Sequence, residues 1–219
     1  MGRDKIVSTI IREGVVAIVR LEKASQVIPV VDALQKAPLR CIEITTNTPG
    51  CFQKIEEVKN RFPDLLVGVG TVINEKLAKE AIKAGAQFLV TPNTYQAVVD
   101  VAHQHDIPVI MGAFSPTEIH MAAAFGADMV KLFPANFFPN EYMKAVRATL
   151  PEIPMVPTGG INLENISSWF AAGADALGVG STITNKQYIL EENYDLITAC
   201  AKQFISQVKK ARESKNHPQ

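Results

Sequence analysis

The 219-residue sequence is poor in cysteine: Cys41, Cys51 and Cys200 form an odd set without the spacing of a zinc site or a disulfide framework. That excludes a disulfide-stapled secreted fold and fits reduced thiols in the cytoplasm. Neither sign of charge is in excess, with 22 Lys and Arg against 22 Asp and Glu. Bulk electrostatics therefore point to neither nucleic acid nor a membrane surface as partner, although small anions can still be met at local sites. No apolar run approaches the roughly 18 residues of a membrane-spanning helix. The opening stretch, MGRDKIVSTIIREG, lacks the unbroken apolar centre of a signal peptide and has no Ser or Thr at position 6 for myristoylation. Gly68-Val69-Gly70 has no third glycine to open a dinucleotide-binding helix. The four histidines are scattered: His103 and His105 cannot share a helix face, His120 is alone in a helix and His217 lies in the tail. No metal or cofactor is expected, and a helix C-terminal dipole contact accounts for the first two.

What is present is a repeated alternation of short β-rich runs and helical segments. The runs are 15–20, 40–45, 66–71, 87–91, 107–112, 128–133, 154–158 and 176–180, beginning roughly 20 to 26 residues apart, the length of one strand, one helix and two short loops. Helical periodicity marks 24–36, 76–84, 117–125 and 164–172. Three similar tetrads, beginning at Ala84, Phe125 and Ala172, place glycine where a helix ends and a strand begins, a site that usually needs positive φ. With 47% hydrophobic and 20% charged residues, the chain can bury one core. The expectation is a single α/β domain over 1–219, a (β/α)8 TIM barrel with a leading N-terminal helix at its floor and a frayed tail over 209–219. An open doubly wound sheet is the competing arrangement, but it usually stops at five or six strands.

The stretch GADMVKLFPA, residues 126–135, sets one lysine in an apolar strand. Alternation turns Met129, Lys131 and Phe133 one way and Val130 and Leu132 the other. An ammonium buried there loses hydration, which favours the free amine that attacks carbonyls. Read alone, Lys131 also fits a core lysine reaching a carboxylate. Its company favours a reactive amine. In a barrel, chemistry belongs at the C-terminal strand ends. These carry Arg20, Glu43 with Thr45, Thr71, Thr91 with Pro92, Lys131 with Phe133, Thr158-Gly159-Gly160, and Gly178-Val179-Gly180-Ser181. The two glycine-rich ends follow the seventh and eighth strands, where such barrels often hold phosphate on backbone amides. Trp169 and Phe170 sit in an amphipathic helix and pack, as does Met111 at the end of the fifth strand.

GADMVKLFPA, together with Ile42-Glu43-Ile44-Thr45, Val67-Gly68-Val69-Gly70-Thr71 and Pro157-Thr158-Gly159-Gly160-Ile161, resembles the 2-keto-3-deoxy-6-phosphogluconate (KDPG) and 4-hydroxy-2-oxoglutarate aldolase family over nearly the whole chain. The resemblance implies a (β/α)8 barrel, often a homotrimer, acting as a metal-independent class I aldolase on a phosphorylated keto acid. It implies that Lys131 forms the Schiff base, Glu43 is the general acid and base, and Thr71 helps bind pyruvate. Phe133 and Pro92 would line the pocket, and Gly159, Gly160, Gly180 and Ser181 would hold the phosphate.

The sequence departs from the family pattern at two places. Many members carry arginine four residues after the glutamate to hold the substrate carboxylate, and here that residue is Asn47, an amide without a cationic fork. Arg20 is the candidate to replace it. In the loop after the lysine, Pro139 stands where the family has glycine, so a changed loop shape is expected. The segments 43–49 and 90–93 also resemble the 6-phosphogalactonate aldolases, whereas Thr158 resembles the phosphogluconate branch, where it bears on stereochemistry. Either epimer, and 4-hydroxy-2-oxoglutarate, remain possible substrates. A non-covalent sugar-phosphate isomerase or epimerase using Glu43 and Lys131 as acid and base is the rival enzyme. A phosphate-ligand binding protein that has lost activity is the rival outside enzymes.

Overall fold

The structure, a computed structural model, describes residues 1–137, 139–150 and 153–216. After α1 (Arg3–Glu13) come eight strands: β1 (Val15–Val19), β2 (Cys41–Thr45), β3 (Leu66–Gly70), β4 (Leu89–Val90), β5 (Val109–Ala113), β6 (Met129–Leu132), β7 (Met155–Pro157) and β8 (Leu177–Val179). Each falls within an expected run to a residue or two. All pair in parallel, in the order β7-β6-β5-β4-β3-β2-β1-β8, and a single bridge between Thr158 and Gly178 closes the ends of the sheet into a barrel. The fold is a (β/α)8 TIM barrel.

Parallel strands covered on both faces read as continuous apolar runs, and the barrel sorts them by alternation. Inside, Val16, Cys41, Leu66, Phe88, Val90, Ile110, Met129 and Val156 form one cluster, and Ile6 and Ile10 of α1 press into it from below. The leading helix therefore plugs the floor. Outside, the larger cluster joins the alternate strand residues, such as Ile42, Ile44, Val130 and Leu132, to the helices around the barrel. These are α2 (Val27–Lys36), α3 (Cys51–Arg61), α4 (Glu75–Lys83), α5 (Gln96–His103), α6 (Pro116–Ala124), α7 (Asn140–Thr149), α8 (Ile166–Ala171), α9 (Lys186–Leu190) and α10 (Tyr194–Asn216). Met111, Trp169 and Phe170 are buried in this outer layer, in the packing roles expected of them. Among the described residues no helix is long and apolar enough to cross a membrane.

The repeated tetrads do more than end helices. Gly85, Gly126 and Gly173 have the positive φ of 88°, 83° and 106°. The third residue of each Gly-Ala-Gln or Gly-Ala-Asp unit then grips the preceding strand twice. The Gln87 amide N–H donates to the Val67 carbonyl at 2.8 Å while its side-chain oxygen accepts from the Val67 N–H at 2.9 Å. Asp128 does the same to Val109 at 3.1 and 2.8 Å, and Asp175 to Met155 at 3.0 and 2.8 Å. Each side chain thus satisfies a strand-start donor that the ladder leaves over.

Two sequence expectations change. His103 is held not by a helix end alone but by Asp128, with Nε2 to Oδ2 at 2.9 Å, while Arg3 approaches the other Asp128 oxygen at 3.1 Å. The tail expected to fray from 209 continues as helix to Asn216, because α10 packs on α2 and α8 and buries Phe204, Val208 and Ala211. His217 and the last two positions lie outside the described residues. Pro139 becomes the residue before α7, extended at φ −68° and ψ 155°, with its carbonyl accepting from the Tyr142 N–H. Proline's fixed φ suits that entry.

Candidate active site

β6 turns Lys131 inward above Met129, and β2 turns Glu43 inward above Cys41, so the two side chains meet across the barrel. Lys131 is 7% exposed and Glu43 3%, and Nζ stands 3.8 Å from Oε1. That separation is an ion-pair distance beyond hydrogen-bond range. Among the described residues Glu43 Oε1 has no hydrogen-bond partner. Lys131 Nζ also lies 5.1 Å from the centre of the Phe133 ring, so its head group faces an aromatic surface as well as a carboxylate.

A cavity of about 570 Å³ opens over this pair at the C-terminal end of the barrel. Arg20, Glu43, Asn47, Thr71, Pro92, Lys131, Phe133, Thr158, Gly159, Gly160, Gly180 and Ser181 all line it. The structure thus brings these residues, marked from the sequence, together, whereas Thr45 and Thr91, also at strand ends, are buried and do not line the cavity. Thr71 holds φ at 61°, an unusual value for a β-branched residue and worth about 1–3 kcal/mol of backbone strain. The Thr46 hydroxyl donates to the Thr71 carbonyl at 3.0 Å and the Thr46 N–H to the Gly70 carbonyl at 2.9 Å, which holds the turn in place. Pro92 is set by Thr91, whose hydroxyl donates to the Asn93 carbonyl at 2.6 Å and accepts from the Gly112 N–H at 2.9 Å.

The loops after β7 and β8 form the far wall. Gly159 and Gly160 have φ of 106° and 69°, a consecutive left-handed pair that a side chain would resist and that leaves the backbone open to close approach. Thr158, 4% exposed, leans over β8, where a Cβ on Gly178 would overlap its Oγ1 and stand 3.0 Å from its Cβ. Four lining residues escaped the sequence reading, Ile18, Thr182, Thr184 and Lys186, while Ile161 and Gly178 of the glycine-rich motifs line the cavity too. Lys186 pairs with Glu22 at 2.6 Å, and that ammonium holds the Glu22 carboxyl below its ordinary range. The signal for Lys186 was a cation five residues beyond Ser181 in the loop already marked for phosphate.

Of the three cations in the cavity wall, Lys131 faces Glu43 and Lys186 pairs with Glu22, which leaves the charge of Arg20 in excess. That excess suits an anion. Arg20 has no ion-pair partner among the described residues and also lines a second cavity of about 510 Å³, walled by Leu21, Pro49, Ile189 and Leu190. The thiols take no part: burial pushes Cys51 up to about 12 and Cys41, deep in the barrel interior, higher still.

A family model described as KDPG and KHG aldolase matches residues 6–200. The chain is 33% identical over 195 residues to a 2-dehydro-3-deoxy-phosphogluconate aldolase of Treponema pallidum, covering 89% of this chain and 93% of that one. It is 30% identical over 191 residues to a 2-dehydro-3-deoxy-6-phosphogalactonate aldolase of Escherichia coli, covering 86% and 93%. It superposes with a TM-score of 0.84 and 27% identity on a KDPG aldolase from Legionella pneumophila, crystallised with pyruvate captured as a covalent carbinolamine, covering 90% of this chain and 96% of that one.

Proposed function

The chain belongs to the KDPG and KHG aldolase family and is an aldolase, a lyase, and from its site we propose that it works through a Schiff base on Lys131. The observation that carries this reading is the buried amine 3.8 Å from the Glu43 carboxylate at the base of a cation-rich cavity. Pyruvate captured covalently in the Legionella relative supports it.

The substrate is 2-keto-3-deoxy-6-phosphogluconate. The free Lys131 amine adds to the C2 carbonyl, and loss of water from the carbinolamine leaves a protonated imine. Glu43, directly or through a water, takes the proton from the C4 hydroxyl. The C3–C4 bond breaks, its electrons pass into the imine to give an enamine, and glyceraldehyde 3-phosphate leaves. Glu43 returns a proton to C3, and water releases pyruvate and the free lysine. Thr71 and Arg20 hold the pyruvate carboxylate, Arg20 taking the part that Asn47 cannot. Phe133 and Pro92 cover the reacting carbons, while Gly159, Gly160, Gly180 and Ser181 bind the phosphate. 4-Hydroxy-2-oxoglutarate, cleaved to pyruvate and glyoxylate, uses the same pyruvate half. The segments 43–49 and 90–93 favour the galactonate epimer as a second reading, and Thr158 favours the gluconate one.

The test is incubation with pyruvate and borohydride followed by peptide mass spectrometry. A reduced adduct on Lys131 is the expected result. Its absence from folded protein would replace the Schiff base with the non-covalent isomerase.

The assembly is a homotrimer. Its support is an apolar arc at the mouth: Ile73, Tyr95, Phe114 and Phe137, one from each loop after β3, β4, β5 and β6, are 49, 43, 44 and 73% exposed. Contiguous exposed apolar surface marks interfaces. Light scattering should give three times the chain mass, and Phe137→Asp should lower it; a monomeric wild type would refute the trimer. Three free thiols fit residence in the cytoplasm.

A further inference from the structure

β3 presents only Leu66, Gly68 and Gly70 to the barrel interior, so above its first residue the strand is bare. Its neighbours fill the space. A Cβ on Gly68 would stand 2.5 Å from Cδ2 and Cζ of Phe88, which occupies the floor from the β4 side. A Cβ on Gly70 would overlap Oε1 and Cδ of Glu43 and stand 2.5 Å from its Cγ. Rotation about the last side-chain bond moves the oxygens alone, so the conflict at Cγ would persist.

Glycine at position 70 is not required by the backbone, since Gly70 is absent from the residues with positive φ. In a strand it destabilises by roughly 0.5–1 kcal/mol relative to alanine. The β2–β3 ladder is fixed by the pairs Glu43 with Gly68 and Thr45 with Gly70, so the strands cannot part to admit a methyl group. What the missing Cβ provides is the space in which the Glu43 side chain lies, with Oε1 3.8 Å from Lys131. We propose that Gly70 is a positioning residue for Glu43, holding open the groove from which that carboxylate moves protons.

This inference rests on the Schiff-base reading, and the experiment separates the two. Gly70→Ala, Glu43→Gln and the double variant are compared by borohydride trapping of pyruvate, by deuterium exchange into the pyruvate methyl group in heavy water, and by cleavage rate. Gly70→Ala should keep the Lys131 adduct while exchange and cleavage fall together by about 100-fold or more, the worth of a general acid-base. Because both changes disable one group, the double variant should be no worse than Glu43→Gln alone. Exchange and cleavage within about threefold of wild type, or losses that multiply in the double variant, would overturn the proposal. No adduct in the wild type would overturn the Schiff-base reading instead. Should Gly70→Ala fail to fold, Gly70→Ala with Glu43→Ala recovers the melting temperature if the collision is with Glu43, and a double variant that stays unfolded refutes it.

Discussion

Lys131→Met should reduce cleavage by at least about 10,000-fold and abolish borohydride trapping, because among the described residues no other amine lies against Glu43 in the cavity. The same change should also lower stability. It removes the cation beside a carboxylate that is 3% exposed, and breaking one side of a buried pair costs about 3–5 kcal/mol. The cavity admits water to the pair, so the lower end of that range applies, equivalent to a fall in melting temperature of about 6–12 °C for a chain of this size. Adding Glu43→Gln should recover most of the loss without any activity. Calorimetry on the single and double variants checks the stability half, and the aldolase assay checks the other. An active single variant would remove Lys131 from the mechanism, while a double variant no more stable than the single would show that the pair is not what the lysine stabilises.

Arg20→Ala should raise the KM for pyruvate, measured in the condensation direction, by about 30- to 160-fold, the worth of a charge-assisted contact of about 2–3 kcal/mol. Arg20 follows β1 at the cavity wall without an ion-pair partner among the described residues, whereas Asn47 in the same wall is an uncharged amide. Arg20→Lys should regain only part of the affinity, since an ammonium cannot form the two parallel bonds of a guanidinium. Imine trapping at saturating pyruvate should survive in both variants. An unchanged KM would transfer the carboxylate to another group, and loss of trapping at saturation would mean that Arg20 shapes the lysine site itself.

The barrel was legible because its strands are short apolar runs at regular intervals and its helix ends carry glycine. Lys131 and Glu43 were legible for the opposite reason, as single charges inside such runs. What escaped depended on neighbours distant in the chain. Lys186 meets Glu22 across 164 positions, and Asp128 receives both His103 and Arg3, so no local window contains either contact. The reach of α10 was hidden because its polar end, KKARES, reads as solvent-exposed, while Val208 and Ala211 dock it. β4 shrank to Leu89–Val90 because Gln87 bonds β3 through its side chain as well as its backbone.

The side-chain clasps of Gln87, Asp128 and Asp175 all sit at strand starts, on the face opposite the cavity. Robustness and chemistry are therefore assigned to opposite poles of the molecule. Each clasp joins two neighbouring strands below the level at which any substrate atom is held, so a loop at the mouth can be rewritten without loosening the joints beneath it. A chain built this way has room to vary at the mouth, because a change at Asn47 or Lys186 draws nothing from the foundations.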